Sequence, residues 1–441
     1  MYRLYLFFQF AFVLFFSTCL FAQVKVDTLP ANVGIEQCIA YAQKHNPLID
    51  QSFIDEQITS QTIRSKLADW YPQVNFNYNL QHNFQVPTSI IGGNPVALGV
   101  YNTSVGQFSL SQNIFNRDVM LALKSKGDVQ LQSQQTTASK KIDLTASVSK
   151  AFYDVLATTQ QIKVSDQNIL RLERSLQDTY NQFKAGVADK VDYKRTTITL
   201  NNVKATKKIN EESLLAKKEY LKYLMGYPDS VSLDIAYDSL KIEKEISFDT
   251  LQVPDYKARI EYRLLETQRK LLDANYHYEK QSYLPSVAVN GAYNLSFLNN
   301  DFAKLYNRNY PNSFAALTLA IPIYQGGKRK AKINIASLQV KRVDKDIINL
   351  QNLVNTQYAN ALASYKSNYA NYLALKENVD LAQEIYNVIQ LQYKSGIKTY
   401  LEVITSETDL RSSQINYFNA LYQLLASKID AQKALGQIPA N

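Results

Sequence analysis

Two cysteines, three histidines and one tryptophan are spread through 441 residues. Cys19 lies in an N-terminal segment read below as removed, so only Cys38 would remain, which excludes an intrachain disulfide and a thiolate metal cluster. His45, His82 and His277 stand alone, without ligand spacing around them, and no metal or cofactor is expected. Ser109 and Ser111 have no base partner that sequence can supply, and Gly326-Gly327-Lys328 lacks the rest of a phosphate loop, so nothing points to an enzyme. After the N-terminus no apolar run is long enough to cross a membrane as a helix. Charge is also missing in patches. No Asp, Glu, Lys or Arg occurs from Trp70 to Asn116, from Gln281 to Asn300, or from Asn309 to Gly327, in a chain that is 20% charged. The formal charge of +9 is otherwise dispersed. Its one dense run, Lys328-Arg329-Lys330-Ala331-Lys332, reads most simply as a solvated first turn of a helix, and no nucleic-acid partner is expected.

Within the charge-free stretches the sequence alternates. Val74, Phe76, Tyr78 and Leu80 are apolar, while Asn75, Asn77 and Asn79 between them are amides. Phe108 and Leu110 alternate with Gln107, Ser109 and Ser111; Val287, Val289, Tyr293 and Leu295 with Ala288, Asn290 and Asn294; Leu317, Leu319 and Ile321 with Ala316, Thr318 and Ala320. A period of two is a strand with two unlike faces. Four such strands without a charge suggest an apolar face against lipid and a polar face lining water. Trp70, Tyr71, Phe115, Tyr283 and Tyr324 fall at strand ends, as an interfacial girdle or as ordinary strand-end packing. The opposite ends run into Gln81–Asn102 and Ser296–Asn312, rich in Asn, Gly and Pro, as surface loops are.

Residues 1–22 read as a secretory signal peptide: Arg3, the apolar run Leu4 to Phe16, then Ser17 to Ala22 before Gln23. Cys19 as a lipidation site is the weaker alternative, because Phe16 and Thr18 fit a lipobox poorly.

The rest is written twice. Gln182-Phe-Lys-Ala-Gly186-Val187 matches Gln392-Tyr-Lys-Ser-Gly396-Ile397, and Gly226 follows Gly186 by the same interval that separates Gly436 from Gly396. Asn113–Asn116 matches Pro322–Gln325, and Trp70-Tyr-Pro72 matches Tyr283-Leu-Pro285. Each copy reads helix, strand, loop, strand, long helix, turn, return helix. In the first repeat, residues 23–226, the helices are expected at about Ile35–Asp69, Arg117–Lys184 and Asp189–Met225, with strands at Gln73–Phe84 and Thr103–Phe115. In the second, residues 255–437, the helices are expected at Tyr256–Tyr283, Lys328–Ser395 and Thr399–Leu435, with strands at Pro285–Phe297 and Ser313–Tyr324. Residues 227–254 are expected to form a linker or equatorial segment, and 438–441 a tail. From Lys328 to Ser395 there is no Gly or Pro, and Val343, Ile347, Leu350, Val354, Tyr358, Leu362, Tyr365, Tyr369 and Tyr372 recur at steps of three and four. Such a helix is roughly 100 Å long, far more than a compact core requires.

A sheet in hydrocarbon must close on itself, and the smallest membrane barrels have about eight strands. One chain offers four. The fold class is therefore a membrane α+β protein: a four-strand contribution to an oligomeric transmembrane β-barrel, with long helical hairpins hung below it, which the resemblance given next implies are periplasmic and form an α-helical barrel. Strand arithmetic leaves two, three or four copies open.

These residues resemble the TolC family of outer-membrane efflux proteins over about Ile35 to Gly436. The carriers are Asn46-Pro47, Tyr71-Pro72, Leu284-Pro285, Tyr324-Gln-Gly-Gly-Lys-Arg and the paired turns at Gly186 and Gly396. The resemblance implies a homotrimer with a twelve-stranded barrel in outer-membrane lipid and a tunnel across the periplasm. It also implies a periplasmic adaptor (membrane fusion protein) and an inner-membrane transporter as partners. On that likeness Tyr393, Lys398, Glu402 and Asp192 take the positions of the periplasmic gate, with Thr405 standing where the family has a second acid. Lys398 in place of arginine keeps the charge but not the planar fork. Gly186, Val187, Gly396 and Ile397 match the tips that meet adaptors. Asp192 and Glu402 also suit first turns of helices for dipole reasons alone. The leading function is passive export of small molecules as the outer-membrane channel of a tripartite efflux system. The alternatives are the duct of a type I protein secretion system, or a periplasmic coiled-coil scaffold without a pore.

Overall fold

The computed structural model describes residues 29–30, 32–187, 189–237 and 239–440. The expected signal peptide and Cys19 lie outside them. The first repeat runs α1 (Ile35–His45), α2 (Pro47–Ala68), β1 (Gln73–His82), β2 (Thr88–Ile91), β3 (Asn94–Ala97), β4 (Asn102–Phe115), α3 (Arg117–Lys184) and α4 (Lys190–Met225). After α5 (Ser239–Ile246) the second runs α6 (Ile260–Lys280), β5 (Ser286–Asn299), β6 (Asn312–Ala320), α7 (Lys328–Lys394) and α8 (Tyr400–Ala434).

Three expectations need correction. The helix expected over Ile35–Asp69 is two helices. Pro47 has no N–H to continue α1 and is well placed as the first residue of α2, while Asn46 stays extended and its Oδ1 accepts from the Leu48 amide at 2.7 Å. The outer strands are shorter than expected, β1 ending at His82 and β6 at Ala320, ahead of Pro322. The first loop folds on itself, β2 pairing with β3 through a turn at Gly92-Gly93, both at positive φ.

The charge-free strands form one antiparallel sheet in the order β1-β4-β5-β6, so the two repeats join at β4–β5. Through the middle of β1, β4 and β5 the register keeps the faces apart. Phe76 pairs with Phe108 and Phe108 with Tyr293; Asn77 pairs with Gln107 and Gln107 with Asn294. On the apolar face Val74 is 70% exposed, Phe76 57% and Leu317 71%, values that would be prohibitive in water for a whole sheet face. β1 and β6 are each paired on one edge only.

The main core sits halfway along the rods. Cys38 and Tyr41 of α1, Val148 to Leu156 of α3, Leu221 to Met225 of α4, Tyr365 and Tyr372 of α7, and Leu421 to Leu425 of α8 pack together with Leu233, Ile242 and Ile246 from 227–254. The expected linker is thus part of this belt, joined to the start of the chain by the parallel bridge Val33–Ile235. The repeat is closed here twice in the same way. Asn46 Nδ2 donates to the Leu224 carbonyl at 2.7 Å, and Arg259 Nη1 to the Ala434 carbonyl at 3.1 Å, each satisfying the end of a return helix. Gly226 and Gly436 follow those ends in the left-handed conformation; a Cβ on Gly226 would lie 2.3 Å from the His45 carbonyl oxygen.

Candidate gate at the hairpin tips

Each rod turns back on the same chemistry. The Val187 amide donates to the Gln182 carbonyl at 3.0 Å and the Ile397 amide to the Gln392 carbonyl at 2.9 Å, across Gly186 (φ +73°) and Gly396 (φ +74°). That six-to-one bond around a left-handed glycine closes a helix end. A Cβ on either glycine would meet nothing within 4 Å, and Val187 and Ile397 are 77% and 70% exposed. The four expected tip residues therefore form two small, open, apolar-tipped knuckles.

The expected gate residues line one cleft of 1090 Å³ between the hairpins, or, in the case of Glu402, lie at its rim. Glu402 is held from three sides. Lys398 Nζ donates to its Oε1 at 2.5 Å, and its Oε2 accepts from the Thr399 amide at 2.9 Å and the Thr399 hydroxyl at 3.0 Å. Thr399 and Glu402 make a capping box at the start of α8. The Lys398 contact first, then the amide, hold this carboxyl down to about 2. Tyr393 and Asp192 share the cleft without bonding: the Tyr393 hydroxyl donates to Gln182 Oε1 at 3.0 Å. Burial, followed by the charges of Asp192 and Asp178, raises the pKa of that hydroxyl, while the Gln182 bond opposes them.

The firmest ties at the tip come from residues the sequence reading did not single out. Tyr400, 5% exposed, shares its hydroxyl with Ser175 Oγ of α3 and Thr196 Oγ1 of α4, both at 2.7 Å, so one ring fastens the second return helix to both helices of the first hairpin. Two turns further on, Glu407 is buried at 3% exposure; its Oε1 accepts from Arg171 Nε and from Asn168 Nδ2, each at 3.0 Å. Burial pushes the Glu407 carboxyl up in spite of Arg171. The signal was present: Tyr400, Val403, Glu407 and Leu410 fall at steps of three and four along α8, so the acid occupies a position of the buried stripe.

The chain matches the family model for outer membrane efflux proteins over residues 39–227 and 263–437, that is, both repeats without the segment between. It is 21% identical over 439 residues to outer membrane protein TolC of Vibrio cholerae, covering 95% of each chain. It is 21% identical over 348 residues to the probable efflux pump outer membrane protein TtgC of Pseudomonas putida, covering 76% of this chain and 69% of that one. Its fold is similar to the open-state outer membrane channel MtrE of Neisseria gonorrhoeae, with a TM-score of 0.71 at 18% identity, over 92% of this chain and 90% of the other.

Proposed function

The chain belongs to the outer membrane efflux protein family and serves as an outer-membrane export channel, and we propose that three copies make one duct. In this reading β1 of each copy pairs with β6 of the next to give twelve strands, and the rods make a tunnel through the periplasm. The duct passes small molecules delivered by an inner-membrane transporter through a periplasmic adaptor. The observation that carries this is the open sheet: two unpaired edges and a charge-free face on which Val74, Phe76, Phe108, Tyr293 and Leu317 are exposed, on strands of nine to fourteen residues. Unpaired backbone groups in hydrocarbon cost several kcal/mol each, so this sheet requires neighbours.

We assign the adaptor contact to Gly186, Val187, Gly396 and Ile397, and the gate to Tyr393, Lys398, Glu402 and Asp192. Asp192 supports this role by what it lacks, since among the described residues no side-chain hydrogen bond or ion pair occupies its carboxylate. It is available to a neighbouring tip across the threefold axis.

The test is a charge scan of the sheet in purified membranes. Phe76→Glu or Leu317→Glu places a carboxylate in lipid and should abolish the trimer on native gels and conductance in planar bilayers. Asn77→Glu and Thr318→Glu should leave both intact. Equal tolerance of the two faces would overturn the barrel.

A further inference from the structure

The two long helices begin at equivalent places in the repeat and are started oppositely. α3 opens on Asn116, whose side chain accepts from the Asp118 amide at 2.7 Å, with Asp118 in the first turn. α7 opens on Gly327, has no side-chain cap and no acid in its first turn, and carries Lys328, Arg329, Lys330 and Lys332 instead. None of these four has a carboxylate within 4.0 Å among the described residues. Cations at the positive end of a helix of this length oppose its dipole; of the first three amides that of Lys328 donates to the Gln325 carbonyl at 3.0 Å, while those of Arg329 and Lys330 have no acceptor among the described residues.

Three of these four, Lys328, Arg329 and Lys332, line a 480 Å³ cavity where β6 meets α7. Arg329 is 9% exposed and held over the Tyr283 ring at 4.1 Å, with Nη2 donating to the Pro322 carbonyl at 2.8 Å, while its buried Nε has no partner. The Ser282 hydroxyl, also lining the cavity, is likewise buried and unpartnered. Lys328 and Lys332, one helical turn apart, line the same space. Two carboxylates share the lining: Asp118 is bonded to Tyr278, and Glu279 faces Arg117, also on the lining, at 4.0 Å, its buried Oε2 without a hydrogen-bond partner.

We propose that this cavity is a phosphate-binding site, in which Arg329, Lys328, Lys332, the Ser282 hydroxyl and the open first turn of α7 surround a phosphate oxyanion. It goes beyond the export function and does not depend on the gate. The phosphate can belong to a phospholipid headgroup, since the charge-free strands start beside it, or to a solute in the duct.

The assembled channel in detergent is heated at constant ionic strength with sodium chloride progressively replaced by sodium phosphate. Wild type should gain melting temperature saturably. In Lys328→Gln/Lys332→Gln the half-saturating phosphate concentration should rise ~10-fold or more. In chloride alone that variant should melt at or above wild type, because it has lost two cations from a positive helix end; this also controls for folding, which Arg329→Gln could disturb through Tyr283. Native mass spectrometry then separates the sources. Phospholipid retained by wild type and lost by the double variant supports the headgroup, and phosphate protection without retained lipid supports the solute. No saturable phosphate effect, or an equal one in the double variant, overturns the site.

Discussion

The belt and the tips are built from the same duplicated sequence and behave as opposites. At the belt, repeat-matched glycines sit against backbone, and the core is dry: Val148, Val155, Leu221, Met225 and Leu424 are fully buried. At the tips, repeat-matched glycines face open space, and what joins one hairpin to the other is hydroxyl, amide and carboxylate. Apolar packing is insensitive to small displacements only until it breaks, whereas a few polar ties can be exchanged for others one at a time. The belt is therefore a fixed frame and the tips are the part able to change partners. The long helices differ in the same spirit. α3 buries more than twice as many residues as α7, which leaves Ile348, Leu353, Leu381, Ile385 and Leu391 exposed along its length. On the proposed three-copy reading these exposed residues of α7 face a neighbouring copy.

The sharpest way to break this contrast is one substitution made twice. Gly226→Ala puts a methyl group 2.3 Å from the His45 carbonyl oxygen, in a left-handed backbone, and should destabilise the chain on the order of 4 kcal/mol, with loss of folded trimer from membranes. Gly396→Ala adds only the left-handed strain, about 1 kcal/mol, and should leave assembly and melting temperature nearly unchanged. Similar losses at both sites would mean that the tips are as tightly framed as the belt.

Next in size is Glu407→Ala. It strands Arg171 and Asn168 in the bundle, and because the Arg171 side chain is still 27% exposed the loss should be about 2 kcal/mol, below that of a fully buried pair. Hydrogen exchange should rise in the last turns of α3 and the first turns of α8 while the belt stays protected. An even rise along the whole rod would remove Glu407 from the tip and make it a global strut.

Much of this was legible because it rests on period and spacing. Alternation without charge located all four long strands, and the absence of Gly and Pro located α7. What stayed hidden was pairing across distance. Nothing local to Asn46 announces that its amide satisfies Leu224, and nothing local to Gln182 announces Tyr393. The α1–α2 break was readable from Asn46-Pro47, a cap followed by a residue suited to start a helix. At the gate, family likeness supplied positions, not partners. Within one chain the Tyr393 hydroxyl is taken by Gln182, and the Asp192 carboxylate is left open.

The smallest effect distinguishes the two tip carboxylates by the sign of their response to acid. Glu402, held at about 2 against an ordinary value of 4.5, stabilises the tip fully above that ordinary value and loses its contribution as pH falls toward 2. Glu407 is shifted the other way by burial, so its contribution is greatest below the ordinary carboxylate range and is lost as pH rises through its folded value. The melting temperature of wild type minus that of Glu402→Gln should be flat from pH 7 to 5 and shrink below about pH 4.5. The same difference for Glu407→Gln should grow in favour of wild type as pH falls from 7. If the two profiles move in the same direction, Glu407 answers to the solvent as Glu402 does.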